Sequence, residues 1–146
     1  MRFKLSLFLS LHTLLVGQAY VVNGSNPGPI YSINTNTNVI EETITITGSS
    51  GPIGVAVTAD NKLAYVVNST TNRVYELNVE TSLVTRTSLP VGSFPLAIVV
   101  TPDGKTAYTG NFLSNNMSVI NLTALAVSST IPMGSRPISL AISPDG

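Results

Sequence analysis

The sequence predicts an all-β protein assembled from repeated four-stranded antiparallel sheets. Three observations carry that prediction. Ser, Thr and Asn make up about a third of the chain, beside 11 Gly and 9 Pro, a mixture of β-branched and turn-forming residues. Matching tracts recur about every 43 residues. Beyond residue 19, no segment keeps apolar residues at a 3.6-residue period for ten positions, so the helical alternative fails. A chain of 146 residues is one domain at most, and a hydrophobic fraction of 43% is enough for a core. Seven basic residues balance seven acidic ones, which leaves no electrostatic footprint for nucleic acid or an anionic membrane. With no Cys and no Trp, disulfide scaffolds, thiolate metal sites and Cys nucleophiles are excluded.

Residues 1–19 read as a secretory signal peptide. Arg2 and Lys4 form a short basic start, residues 5–16 carry no charge and are Leu-rich, and Gly17-Gln18-Ala19 places small residues where a signal peptidase reads. The run is short for a membrane span, which needs about 20 apolar residues. Stretched to Val22 it approaches that length, and a retained anchor is the competing reading. Cleavage after Ala19 removes His12, the only histidine, and leaves no apolar stretch able to span a membrane. The mature chain then keeps Lys62, Arg73, Arg86, Lys105 and Arg136 against all seven acids.

The repeat fixes the elements in order. Ala19-Tyr20-Val21-Val22-Asn23 recurs unchanged at residues 64–68 and in degraded form as Ala107-Tyr108-Thr109-Gly110-Asn111. A second tract recurs at Pro52, Pro95 and Pro137: PIGVAVTADN, PLAIVVTPDG and PISLAISPDG. Gly-x-x-Pro precedes the second and third prolines, while Gly48 stands four residues before Pro52. After each proline, large and small residues alternate (Ile53, Val55, Val57 against Gly54, Ala56, Thr58), and both faces avoid charge. Side chains alternate across a strand, so this strand is buried on both sides, with bulk meeting a thin surface. Asp103-Gly104 predicts a tight hairpin turn with both central positions at positive φ, and Asp60-Asn61 does the same in the first copy. The Tyr-Val-Val-Asn tract is the second strand. The third is expected at Ile30–Asn34, Arg73–Asn78 and residues 117–121, and the fourth at residues 40–46, 83–89 and 126–131. Four short strands in about 43 residues is the pattern of a β-propeller blade. The repeats run approximately over residues 20–63, 64–106 and 107–146.

These markers resemble the YVTN-type β-propeller repeat family found in surface-layer-like and YncE-like propeller proteins. Tyr20 to Asn23 and Tyr65 to Asn68 match the first marker. The Gly-x-x-Pro steps at Gly92 and Gly134 and the Pro-Asp-Gly turns at Pro102 and Pro144 match the others. The match covers the mature chain. Asn34, Asn78 and Asn121 depart from the acidic residue the family often has there, and Gly110 weakens its strand. Propellers close with about four to eight blades, and three repeats fall short of a closed ring. The strands count as three, four, four and one, because the first set lacks its inner strand and residues 137–143 form an inner strand without partners. The chain therefore reads as the N-terminal part of a larger propeller. A symmetric oligomer that completes the ring and an open repeat array remain as alternatives, and open blade edges imply self-association.

Enzymatic machinery is missing from the sequence. Without His or Cys in the mature chain there is no triad, zinc ligand or haem ligand, and no phosphate loop occurs. No cofactor is expected. Phe94 and Arg136 stand in the Gly-x-x-Pro loops that lead into inner strands and crowd one rim of the axis. An aromatic and a cation there suit a protein, peptide or glycan, although the residues alone favour reading both as ordinary loop residues. Asn23, Asn68, Asn116 and Asn121 begin Asn-x-Ser/Thr sequons. They also read as turn residues in an Asn-rich chain. Tyr20, Tyr65 and Tyr108 recur periodically, which favours packing between blades over stacking on a ligand. Asp60, Asp103 and Asp145 read as turn residues about a blade apart, and Glu41-Glu42 has no acidic partner nearby in sequence. The functional expectation is an exported, non-enzymatic interaction module. The alternative is part of a propeller enzyme or electron-transfer protein whose catalytic blades lie elsewhere.

Overall fold

A computed structural model describes residues 17–25, 28–46, 51–85 and 88–146. The signal segment up to Val16, Gly48 and Arg86 lie outside the described residues. All regular structure among them is β. Sheet A holds β1 (Gln18–Val22), β2 (Ile30–Asn34) and β3 (Val39–Ile44) in that spatial order. Sheet B holds β4 (Pro52–Val57), β5 (Leu63–Asn68) and β6 (Arg73–Asn78), flanked by the short β7 (Leu83–Val84) and β8 (Leu89–Pro90), which both pair with β6. Sheet C holds β9 (Pro95–Val100), β10 (Thr106–Asn111), β11 (Asn116–Asn121) and β12 (Ala126–Pro132). Every pairing is antiparallel.

These are propeller blades, with the strand count the repeats predict except at the last position. Residues 137–143 form no strand. The fourth strand of sheet B is two short pieces, with β7 and β8 on β6 at separate registers. The outer strand is irregular at matching places elsewhere too. The β2–β3 ladder shifts between Ser32 and Ile33, and the β11–β12 ladder between Val119 and Ile120. Such bulges bend and twist an outer strand.

β1 begins at Gln18, ahead of the expected cleavage point. Gln18 is opposite Asn34 and Ala19 opposite Ile33, and the Gly17 carbonyl accepts the Thr35 N–H at 2.9 Å. Cleavage after Ala19 would trim two residues from β1.

The period-2 alternation of β5 explains the layering. Ala64 and Val66 pack with Ile30, Ile44 and Ile46 of the first repeat, while Tyr65 and Val67 pack with Ile98, Ala107 and Ile120 of sheet C. Sheet B is therefore covered on both faces, and Val66 and Val67 are fully buried. Each such side chain contributes about 1.5–3 kcal/mol by leaving water. Gly54 lies where β4 meets β9, and a Cβ there would stand 3.0 Å from the Leu96 carbonyl oxygen. The large-against-thin alternation of the inner strand serves this close approach.

The turns differ from expectation in one respect. Gly104 has positive φ (69°) and so does its counterpart Asn61 (57°), but neither Asp60 nor Asp103 does. Instead the Asp103 carboxylate accepts from Thr101 Oγ1 at 2.6 Å and from the Lys105 N–H at 3.0 Å. The Thr101 N–H in turn reaches the Thr106 carbonyl. The loop is thus longer than a two-residue turn, and a side chain closes it. At the other hairpins Asn fills the same office. Asn34 Oδ1 accepts from the Asn36 and Thr37 N–H groups, Asn78 Oδ1 from Thr81, and Asn121 Oδ1 from Ala124. An amide oxygen does this as well as a carboxylate, so the departures from acidic residues leave the turns intact.

Candidate rim site

The loops before the inner strands are built alike. Phe94 and Arg136, each immediately before a proline, adopt positive φ (55° and 34°). That region is costly for bulky residues, and Gly51 (φ 83°) occupies the matching place in the first repeat. An Asn from the preceding hairpin holds each of the two in place. The Phe94 N–H donates to Asn72 Oδ1 at 2.7 Å, and the Arg136 N–H to Asn115 Oδ1 at 3.0 Å. Backbone bonds reinforce the tie, since Val91 N–H reaches the Asn72 carbonyl and Met133 N–H the Asn115 carbonyl. Each repeat is thereby fastened to the loop of the next.

This geometry brings the two residues singled out in the sequence to one ring, Phe112. The Phe94 and Phe112 centroids are 6.0 Å apart with planes tilted by 56°. The Arg136 guanidinium carbon lies 5.3 Å from the Phe112 centroid, a cation–π distance. Phe94 is 39% exposed, and Arg136 is exposed as well. Among the described residues the one ion pair is Lys62–Asp60, at 3.8 Å between exposed groups, so the charge of Arg136 is not neutralised by a neighbouring carboxylate. The arrangement is an aromatic pair capped by a cation and open to solvent. It can accept a planar ring, an apolar group or an anion. Phe112 escaped the sequence reading. Its signal was available: Gly24 and Ser69 stand at its position in the other repeats.

The other candidates have structural surroundings. Asn68 is fully buried, with Oδ1 accepting from the Thr70 and Thr71 N–H groups at 3.0 and 2.9 Å, so a glycan on it has no room in the fold. Asn116 is half-buried and accepts from Asn111 Nδ2 and Ser114 Oγ. Asn23 and Asn121 are exposed, and their amide oxygens accept turn N–H groups from Ser25 and Ala124. Tyr65 is buried between sheets B and C and donates to Glu76 Oε2 at 2.9 Å. Tyr20 packs at the edge of the core between sheets A and B and donates to Gln18 Oε1 at 2.6 Å. Burial is the main cause that raises its pKa.

Asp60, Asp103 and Asp145 are held below the ordinary carboxylate range, first by hydrogen bonds from Thr58, Thr101 and Ser143. They are turn closures. Glu41 and Glu42 are exposed and accept from Asn34, Gln18 and Ser82. A buried acid the sequence reading did not single out, Glu76, also accepts from Thr85 Oγ1 at 2.6 Å. Among the described residues no three His, Cys, Asp or Glu side chains group as a metal site, and no helix is long and apolar enough to cross a membrane. The apolar crevice between sheets A and B, beside Tyr20, Val55 and Val66, has room for about one water.

Stacked antiparallel sheets, two of them carrying the repeated proline-led tract on an edge strand, define an array of β-propeller blades. Solved structures share this architecture. A hydrazine synthase structure from Kuenenia stuttgartiensis matches with a TM-score of 0.80 and 25% identity over 88% of this chain and 36% of its own. A functionally unknown protein from Desulfotomaculum acetoxidans matches with a TM-score of 0.76 and 23% identity, over 88% and 43%. A chain in a nidogen/laminin complex matches with a TM-score of 0.74 and 17% identity, over 84% and 46%. The chain spans less than half the length of these structures. No protein-family model matches it, and no curated protein does.

Proposed function

We propose that this chain is an exported, non-enzymatic propeller module of the YVTN type that binds a protein, peptide or glycan through the rim carrying Phe94, Phe112 and Arg136. One observation carries the reading: two bulky, exposed residues are held at positive φ, where the first repeat has glycine, and both converge on the half-buried ring of Phe112. Strain of this kind costs about 1–3 kcal/mol per residue, and packing of a buried core does not require it here. Recurrence of the three sequence markers supports the family reading. The basic start and apolar run of residues 1–19 support export.

The test uses Phe94→Gly, which suits the backbone at that position and should leave the fold intact. A glycan array and an immobilised peptide library are probed with the wild-type chain, then with Phe94→Gly, Phe112→Ala and Arg136→Ala. Binding should fall at least tenfold in each variant while the thermal midpoint of Phe94→Gly stays close to wild type. Hits retained at full strength by all three variants would refute the rim.

The likeness to the hydrazine synthase structure supports a second reading, in which the chain is part of a longer propeller enzyme. Sequence downstream of residue 146 encoding further blades with His or acidic clusters would favour it.

A further inference from the structure

We propose that the rim takes an extended peptide in which a carboxylate stands two residues from a bulky apolar side chain, the carboxylate on Arg136 and the apolar side chain against Phe94 and Leu113. The inference rests on the rim reading and narrows it to one class of ligand. Charge is unequally divided between the two ends of the sheets. Asp60 with Lys62, Glu80, and Asp103 with Lys105 stand in turns at one end. The described loop residues at the other end are 23–25, 28–29, 51, 69–72, 91–94, 112–115 and 133–136, and among them Arg136 carries the one charge. Arg73, at the head of β6, is tied down by the carbonyl and Oγ of Ser88. Among the described residues the Arg136 guanidinium meets no carboxylate and donates no hydrogen bond. It lies 5.3 Å from the Phe112 centroid. Contact with a ring engages the face of a guanidinium and leaves the N–H donors in its plane for an anion. Phosphate sites gather several arginines. A single one, with no lysine at this end, suits the single charge of a carboxylate.

Apolar surface adjoins the cation. Phe112-Leu113 stand where the other repeats have Gly24-Ser25 and Ser69-Thr70. Leu113 is 56% exposed, and its N–H donates to the Ser93 carbonyl at 3.1 Å, which sets it beside the loop that carries Phe94. Thr70 is exposed too, although sheet B is covered on both faces, so exposure belongs to this place in the loop. Alternate side chains of an extended peptide share one side, roughly 7 Å apart. Such a pair reaches Arg136 and the Phe94–Leu113 surface together, across the ring of Phe112. A sugar fits this end less well, because its hydroxyls need acceptors and those beside the rings are engaged. Asn72 Oδ1 and Asn115 Oδ1 accept the Phe94 and Arg136 N–H groups. Ser114 Oγ accepts the Ser93 N–H and donates to Asn116 Oδ1. The guanidinium and the tilted Phe94 ring already pack on Phe112.

The experiment is an array of immobilised peptides, beside neutral and sulfated glycans, probed with the full chain. The peptides carry Glu and Leu adjacent, two residues apart or three apart, with counterparts in which Gln replaces Glu or Ala replaces Leu. Binding should be strongest at the two-residue spacing. Gln for Glu should weaken it about fivefold, the upper range for an exposed ion pair, and Ala for Leu by as much or more. Arg136→Gln should abolish the preference for Glu over Gln. Arg136→Lys should restore only part of it, since an ammonium lacks the planar fork. Both variants keep the backbone N–H that Asn115 accepts, and unchanged β circular dichroism checks their fold. Leu113→Thr, the residue type of the second repeat, should reduce the preference for Leu over Ala. Absence of any acidic-apolar hit, or hits as strong with Gln as with Glu, would overturn the proposal. Glycans or uncharged peptides bound by the wild type and lost by Phe94→Gly would overturn it and leave the rim standing. Ligands kept alike by Phe94→Gly, Phe112→Ala and Arg136→Ala would overturn both.

Discussion

Substitution of Gly54 probes the contact between inner strands. Its φ is ordinary, so backbone strain does not enter. A Cβ would meet the Leu96 carbonyl oxygen and Val67 Cγ2 at 3.0 Å and Ala97 Cα at 3.4 Å. Two of these three atoms are backbone of β9 and cannot swing away. Gly54→Ala gains about 0.4–1 kcal/mol by restricting the unfolded chain, and the crowding opposes this gain. Gly54→Val adds two methyl groups to the same space and should cost a net 1–3 kcal/mol or so, the usual range for overpacking. Urea denaturation followed by far-ultraviolet circular dichroism suits a chain without Trp. Combining Gly54→Val with Val67→Ala should recover part of the loss, with a coupling of about 0.5 kcal/mol or more. The Leu96 backbone contact persists, so recovery should be incomplete. If Gly54→Val is as stable as wild type, β4 and β9 are not in contact and the stacking of sheets B and C is wrong.

Other consequences follow from individual contacts. Tyr65→Ala should lose about 3–5 kcal/mol, as for a buried aromatic, read from the same urea transitions; a loss under about 1 kcal/mol would contradict its place between sheets. Asn72→Ala removes the acceptor of the Phe94 N–H and should cost about 0.5–1.5 kcal/mol, with nuclear magnetic resonance shifts centred on residues 91–94. The Asp103 carboxyl is lowered chiefly by Thr101. Its stabilising share is therefore present above the unfolded carboxylate pKa of about 3.9 and is lost as pH falls through the lower folded value. Thr101→Val should raise the Asp103 titration midpoint toward the ordinary value and leave Asp60, bonded to Thr58, unchanged. An Asp103 midpoint that does not move would refute the closure.

The blade elements were legible because the repeat samples each strand three times. Alternation in the tracts at Pro52 and Pro95 marked inner strands, and the Tyr-Val-Val-Asn tract marked the strand beside them. The fate of residues 137–143 was not legible, because a strand pattern records burial and alternation, while pairing requires an edge that the pattern does not supply. The Asp-Gly turn misled in detail because a Thr two residues before the Asp, not positive φ at the Asp, closes the loop. At the rim, Phe94 and Arg136 were visible as departures inside a marked loop. Phe112 was hidden because it follows a degraded copy of the strand tract. The tie from Arg136 to Asn115, in the same hairpin as Phe112, brings that position under the guanidinium.

Backbone hydrogen exchange tests the stacking most directly. Sheet B lies between the other two, whereas every residue of β12 is exposed. The amides of residues 64–67 should be the slowest in the chain, exchanging only on global unfolding, and those of β12 should exchange by local opening. Equal protection of β5 and β12, or greatest protection in β12, would contradict three sheets stacked in sequence order.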